Sequence, residues 1–235
     1  MHSRDELRSR APELAPQQRT LSNGATASWP TDPDAGGTWV AVRDDGLYLG
    51  LLNLNLRDDE LDPRRPTPTI SRGSVIPALI ESATLDDAVD RLKSMTLRGM
   101  NPFRLLIAGP GSDGCPRYTI ARFDAMELGF PCPIARLERP VCMASSGLGD
   151  ELVQCRVPLF GQMVSPHASQ ADQHRFHRHQ WPDRPELSVL MSREDARTSS
   201  ITTVVVEAGK EPTVFYEPIA VGDPADDPVG AGMLQ

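Results

Sequence analysis

Alternation of apolar and polar positions is clearest between residues 38 and 54. Thr38 to Val42 and Leu47 to Leu54 read as strands, and Asp44-Asp45-Gly46 between them supplies the backbone conformations a tight hairpin turn requires. Phe103 to Ala108 and Arg117 to Phe123 flank Gly109-Pro110-Gly111-Ser112-Asp113-Gly114, which predicts a second hairpin. Two helices stand between these hairpins. Ser71 caps an apolar run through Ile80, and Thr84-Leu85-Asp86-Asp87 opens the next helix, with the Thr84 hydroxyl and Asp87 carboxylate placed against its first amides.

The remaining pattern is weaker. Arg10 to Pro33 is rich in Pro, Ala, Gln and Ser, lacks a sustained period of either kind and reads as a surface loop, while Asp58 to Pro68 is charged and proline-rich, excluding regular structure. Strands are expected at Ile134 to Leu137 and Val141 to Ala144. A helix follows from Gly147 to about Met163, interrupted or kinked by Pro158, and then a polar, histidine-rich segment to Trp181. Leu187 to Met191, Ile201 to Val206 and Thr213 to Tyr216 close the chain as strands, with a turn at Ala208-Gly209-Lys210. Hairpins, helices and hairpins again predict an α+β fold with helices on the outer faces of the sheets. A single domain is expected over residues 1–220, with a disordered tail over 221–235.

Composition narrows the partners. Of 235 residues, 39% are hydrophobic and 24% charged, a globular balance, and the net charge of -8 repels a phosphate backbone, so nucleic acid is not an expected partner. No stretch reaches the roughly 20 apolar residues of a membrane helix, and Met1-His2-Ser3-Arg4-Asp5-Glu6 is the opposite of a signal peptide; a cytoplasmic location is expected. Cys115, Cys132, Cys142 and Cys155 are spaced too widely for a zinc knuckle or a redox pair and are expected as free thiols. His174, His177 and His179, with Asp172 nearby, do not share one helix face, so a solvated polar segment is favoured over a metal site; no metal and no cofactor are expected.

Several segments carry a family resemblance. Ser3-Arg4-Asp5-Glu6 stands where the NRDE family, also called the transport and Golgi organisation family, has Asn-Arg-Asp-Glu. Asp34-Ala35-Gly36-Gly37-Thr38-Trp39-Val40-Ala41-Val42 is similar to that family's Ala-Gly-Gly-Thr-Trp segment, and Gly46-Leu47, Leu51-Leu52-Asn53 and Ser71-Arg72-Gly73 also match. Ser145-Ser146-Gly147-Leu148-Gly149-Asp150 and Arg193-Glu194-Asp195-Ala196-Arg197-Thr198 resemble bacterial members. The resemblance covers Met1 to about Pro218. It implies an Ntn-hydrolase-like αββα sandwich of two antiparallel sheets with flanking helices.

In that class a nucleophile exposed at the N-terminus attacks the substrate carbonyl while its own α-amine takes up the proton. Family members usually begin Met-Cys and run through one strand before reaching the motif, whereas here the motif stands at Met1, so either the true start lies upstream and Met1 is an internal methionine, or this protein has lost that strand. Position 2 here is His2, and Ser3 is one residue too late, so the chain as written lacks that nucleophile.

The resemblance implies an amidohydrolase or thioesterase acting on small acyl substrates. Its alternative is a non-catalytic carrier of lipid, haem or another apolar ligand. Arg4, Asp5 and Asn53 are the catalytic candidates: Arg4 beside the cysteine, Asn53 as an oxyanion donor. Against this, Arg4 and Asp5 read equally as a buried ion pair, and Asn53 as the cap of a strand end. Gly36, Gly37, Trp39, Arg72 and Arg197 are candidate ligand-binding residues. For Gly36-Gly37 a close backbone approach or positive φ is the favoured reading, and for Trp39 a place in the core. Arg72 is set either to meet an anion or to pair with Asp34 or Glu81, and Arg197 matches a basic residue near the active site of the wider class.

Overall fold

A computed structural model describes residues 1–164 and 169–220. The chain opens on β1 (His2–Leu7) and then enters a meander of seven antiparallel strands: β2 (Leu14–Thr20), β3 (Thr26–Thr31), β4 (Val40–Arg43), β5 (Tyr48–Asn53), β6 (Phe103–Pro110), β7 (Pro116–Phe123) and β8 (Leu128–Arg136). Helices α1 (Val75–Leu79) and α2 (Leu85–Ser94) lie between β5 and β6; α3 (Arg156–Met163), α4 (Gln170–His177), β9 (Ala196–Val205) and β10 (Thr213–Pro218) follow β8. A second sheet has the order β1-β9-β10, so the described residues form an α+β protein with antiparallel sheets of seven and three strands and four α-helices.

Where the sequence favours one domain, the backbone clusters into two compact units. The first comprises Met1–Pro12, Arg139–Thr203 and the chain from Phe215 onward; the second comprises Glu13–Glu138 and Val204–Val214. In the second unit, one face of the meander meets α1 and α2. Along β6, Phe103, Leu105 and Ile107 are fully buried while the residues between them are less so, which is the period of two expected of a strand with one face in a core. Along α2, Leu85, Ala88, Val89 and Leu92 give the matching helical spacing. Each large side chain buried there contributes roughly 1.5–3 kcal/mol.

The two predicted hairpins form. Gly46 has φ +92°, and β6 pairs with β7 from Phe103↔Phe123 to Pro110↔Pro116. Thr84 accepts a hydrogen bond from the Asp87 amide at the start of α2, and Ser71 accepts one from the Gly73 amide. The end of α1 holds a feature the sequence did not announce. Arg43, 3% exposed, donates to the carbonyls of Ile80 (3.3 Å), Ser82 and Ala83 (2.7 Å), while Asp45 holds its other edge at 2.9 Å. A guanidinium thus closes the chain reversal between α1 and α2, satisfying carbonyls left over at a helix end.

Several expectations are corrected. Arg10 to Pro33 is not a loop: β2 and β3 pair with Gln17↔Trp29 and Thr20↔Thr26 in register, around a turn closed by the Leu21 amide on the Ala25 carbonyl at 2.8 Å. As the outermost strand of its sheet, β2 is largely exposed and needs no apolar alternation. Val141 to Ala144 forms no strand, whereas Ile134 to Arg136 belongs to the longer β8. Between Gly147 and Met163 a 3-10 turn (Asp150–Val153) precedes α3, and Pro158 sits in the first turn of α3, where no intrahelical bond is lost and no kink is imposed. The histidine-rich segment contains α4, opened by reciprocal bonds between Ser169 and Asp172. Leu187 to Met191 is irregular. Its Val189 joins Phe176 and Val164 in one apolar cluster, while Leu190 joins Ile201 and Ile219 in another, so its apolar run anchors a loop rather than building a strand. Only three residues of the Asp58 to Pro68 segment, Asp58–Glu60, adopt a regular conformation, a 3-10 turn. The tail expected from Val221 lies outside the described residues.

Candidate functional site

The first unit is organised around β1, whose side chains alternate between two faces. It pairs antiparallel with β9, His2 opposite Thr202, Ser3 opposite Ile201 and Arg4 opposite Ser200; the register then shifts, placing Asp5 opposite Thr198. The extra residue, Ser199, is a bulge that lets Thr198 and Ile201 serve the same face of the sheet although they are three apart. Among the described residues β1 has no strand partner other than β9.

One face carries His2, Arg4, Ser200 and Thr202, all buried. Arg4 is 8% exposed and pairs with Glu6 two residues along at 2.9 Å, and Glu6 also meets Arg10 at 3.5 Å. Burial, aided by the charges of the terminal amine and Arg4, pushes the His2 imidazole down to about 3, and burial also lowers the Met1 amine. Both groups are therefore held toward their neutral forms. The hydroxyls of Ser200 and Thr202, 0% and 1% exposed, have no hydrogen-bond partner among the described residues. An orphaned buried hydroxyl costs roughly 1–3 kcal/mol. A ligand oxygen reaching this face would find two hydroxyl donors beside a guanidinium.

The other face carries Ser3 and Asp5. Ser3 Oγ lies 2.7 Å from His177 Nδ1, at the end of α4. Thr198 donates to Asp5 Oδ1 at 2.7 Å, and Arg156 Nη1 stands 4.0 Å from Asp5 Oδ2. Burial raises the Asp5 carboxyl, opposed by Arg156, by the Thr198 hydrogen bond and by Arg193. Arg156 is itself fixed by the Leu187 carbonyl on Nε (3.0 Å) and the Ser145 carbonyl on Nη1 (3.4 Å), leaving Nη2 buried without a hydrogen-bond partner among the described residues. A mutual ion pair, one of the two readings of Arg4 and Asp5, is not what their contacts show: neighbours on a strand point to opposite faces, so Arg4 takes Glu6 and Asp5 takes Thr198 and Arg156.

Arg197 also belongs to the first unit, opposite Glu6 in the register, and its Nη1 donates to the Ile219 carbonyl at 2.9 Å. The other candidates lie in the second unit. Asn53 is the exposed last residue of β5, opposite Phe103. Gly36 has φ +68°, and at Gly37 an added Cβ would stand 2.5 Å from the Gly73 Cα, so this pair of glycines serves a positive φ and a backbone crossing. Trp39 is buried. Arg72 donates to the Pro102 carbonyl at 2.9 Å, a partner other than the two carboxylates anticipated for it; Glu81 instead receives the Ser22 hydroxyl at 2.6 Å.

His177 was expected in a solvated segment, yet it is half-buried against Ser3. Burial, with the nearby charges of the terminal amine, His2, His174 and Arg156, lowers it well below the ordinary imidazole value. Arg156, Ser200 and Thr202 were not singled out from sequence, and the contact between Ser3 and His177 was not anticipated. The run Thr198-Ser199-Ser200-Ile201-Thr202-Thr203 held a usable signal, since hydroxyls dense in an interior strand demand partners. All four cysteines are free thiols, and among the described residues no group of three or more His, Cys, Asp or Glu side chains could hold a metal ion. No described helix is long and apolar enough to cross a membrane. No protein-family model matches the chain, and no curated protein matches it.

Proposed function

We propose that this chain is an Ntn-hydrolase-like protein of the NRDE type, built on the αββα sandwich, whose acyl-binding site is the buried face of β1 and β9. Arg4 receives the carbonyl or carboxylate of a small acyl compound there, with Ser200 and Thr202 as further donors. The observation that carries this reading is the pair of orphaned, fully buried hydroxyls on the strand next to Arg4. Support comes also from the Ser3-Arg4-Asp5-Glu6 stretch forming a strand at the sheet margin, where a preceding strand bearing the nucleophile would pair. In this reading Arg4 favours the thiolate and orients the carbonyl. Asp5 has a supporting part, holding Arg156 on the opposite face.

The test uses two forms. The present chain is titrated calorimetrically with hexanoate; a form extended upstream in frame to a Met-Cys start is assayed on p-nitrophenyl hexanoate beside a version with serine at that cysteine. Saturable hexanoate binding is expected, weakened roughly 10- to 100-fold in Arg4→Ala, as the loss of a charge-assisted hydrogen bond implies. Hydrolysis is expected to be faster with the cysteine than with serine in its place, the difference measuring what the cysteine contributes. Binding without cysteine-dependent hydrolysis would favour the non-catalytic carrier, and hexanoate binding that is absent, or indifferent to Arg4→Ala, would end the site.

A further inference from the structure

The opposite face of β1 carries a constellation that does not rest on that reading. Ser3 Oγ and His177 Nδ1 stand at 2.7 Å, the spacing of a hydroxyl hydrogen bond to an imidazole. Ser3 and His177 are each partly buried. Burial and the neighbouring positive groups hold the imidazole toward its neutral form, and in the tautomer with the proton on Nε2 the Nδ1 lone pair accepts the Ser3 hydroxyl. Arg156 lies within electrostatic reach of both His177 and Asp5, and its Nη2 is a buried donor with no hydrogen-bond acceptor among the described residues. Asp5 is one strand repeat, roughly 7 Å, from Ser3 on the same face. A hydroxyl nucleophile and an imidazole base thus meet on this face of β1, with Arg156 standing beside Asp5 along the same face.

We propose that Ser3 and His177 form a nucleophile–base pair that accepts an acyl group from a small ester or thioester onto Ser3 Oγ, with Arg156 stabilising the oxyanion. Ser3 Oγ adds to the carbonyl carbon as its proton passes to His177 Nδ1. The tetrahedral oxyanion then collapses, the bond to the leaving oxygen or sulfur breaks, and His177 returns the proton to that leaving group. Water, deprotonated by the same imidazole, attacks the acyl-Ser3 ester and restores the hydroxyl. The sequence consumes one water per ester and needs no oxidant or reductant. Its residues are distinct from the cysteine and Arg4 of the other face.

The experiment treats the full chain with diisopropyl fluorophosphate, in which Ser3 Oγ would displace fluoride from phosphorus, and maps the adduct by peptide mass spectrometry. One adduct is expected, on Ser3, absent in Ser3→Ala and formed at least 100-fold more slowly in His177→Asn, the lower end of what a general base contributes. A Ser3→Cys variant provides an independent arm, because a thiol beside His177 should react with iodoacetamide at least tenfold faster than Cys115, Cys132, Cys142 or Cys155. No adduct on Ser3, or an adduct formed equally fast in folded His177→Asn, overturns the proposal. An introduced thiol no faster than the native four in a variant of native circular dichroism overturns it as well.

Discussion

The crossing of Gly37 over Gly73 makes a sharp prediction about stability. A Cβ on residue 37 would lie 2.5 Å from the Gly73 Cα, 2.8 Å from its carbonyl carbon and 2.9 Å from its carbonyl oxygen. Carbon atoms in contact prefer roughly 3.5–4.0 Å, so one of the two backbones must retreat by about 1 Å, and no flexible side chain is present to yield in its place. That retreat also stretches the Thr38 amide from the Gly73 carbonyl, already at 3.3 Å. Overpacking of this kind costs roughly 1–3 kcal/mol, and loss of the hydrogen bond adds about 1 kcal/mol. Gly37→Ala should therefore lose ~2–4 kcal/mol, or about 5–15 °C of melting temperature for a chain of this size. Gly161→Ala is the control: it lies within α3 with no atom within 4 Å of the new methyl, and should gain about 0.5–1 kcal/mol. Urea unfolding followed by tryptophan fluorescence measures both, Trp39 lying close to the first. A Gly37→Ala protein within 0.5 kcal/mol of the parent would refute the argument.

Three further outcomes follow from other contacts. Arg43→Met should destabilise by roughly 3–5 kcal/mol in urea titrations, because the carbonyls of Ile80, Ser82 and Ala83 lose their common donor, and a midpoint equal to the parent's would count against that capping role. His2 is held neutral in the fold down to about 3, while the unfolded chain protonates near 6.5; its contribution is therefore complete above 6.5 and is lost as pH falls toward 3, on the order of 5 kcal/mol in all. Unfolding free energies of His2→Gln measured from pH 7 to pH 4 should accordingly fall less steeply than the parent's, and parallel curves would show the reasoning to be wrong. Phe176→Ala removes a ring that meets Phe160 edge-on at 5.1 Å within the Val164 and Val189 cluster, and should cost about 3–5 kcal/mol. Amide exchange in α4 should then accelerate; unchanged protection would contradict the packing.

Legibility in the sequence followed the strength of local physics. Asp44-Asp45-Gly46 and the long glycine-rich link before Arg117 mark their hairpins because positive φ is a local demand that few residues meet. Ser22-Asn23-Gly24 makes the same demand, and Gly24 meets it at φ +86°; that turn is missed only when apolar period is weighed above turn chemistry, since β2 has little to bury. Val189, Leu190 and Met191 mislead for the opposite reason, as buried apolar residues need no strand to hold them. The site is less legible than the fold. Arg4 and Asp5 are neighbours in sequence, yet the alternation of a strand parts them, and Ser3 meets His177 only through tertiary structure. Nothing local to His177 distinguishes it from His174, which instead meets Glu217 at 3.2 Å.

The pairing of His2 with Thr202 sets an order of events during synthesis. β1 leaves the ribosome roughly 200 residues ahead of β9, an interval of about 10–40 s at ordinary elongation rates. Every rung of the seven-stranded meander joins strands adjacent along the polypeptide, so that sheet can nucleate while β1 still waits for its complement. In refolding, the three-stranded sheet should be the late event, its closure burdened by the entropy of a loop nearly as long as the chain. Until then, β1 presents an unoccupied backbone edge on which a chaperone or a second nascent chain would act.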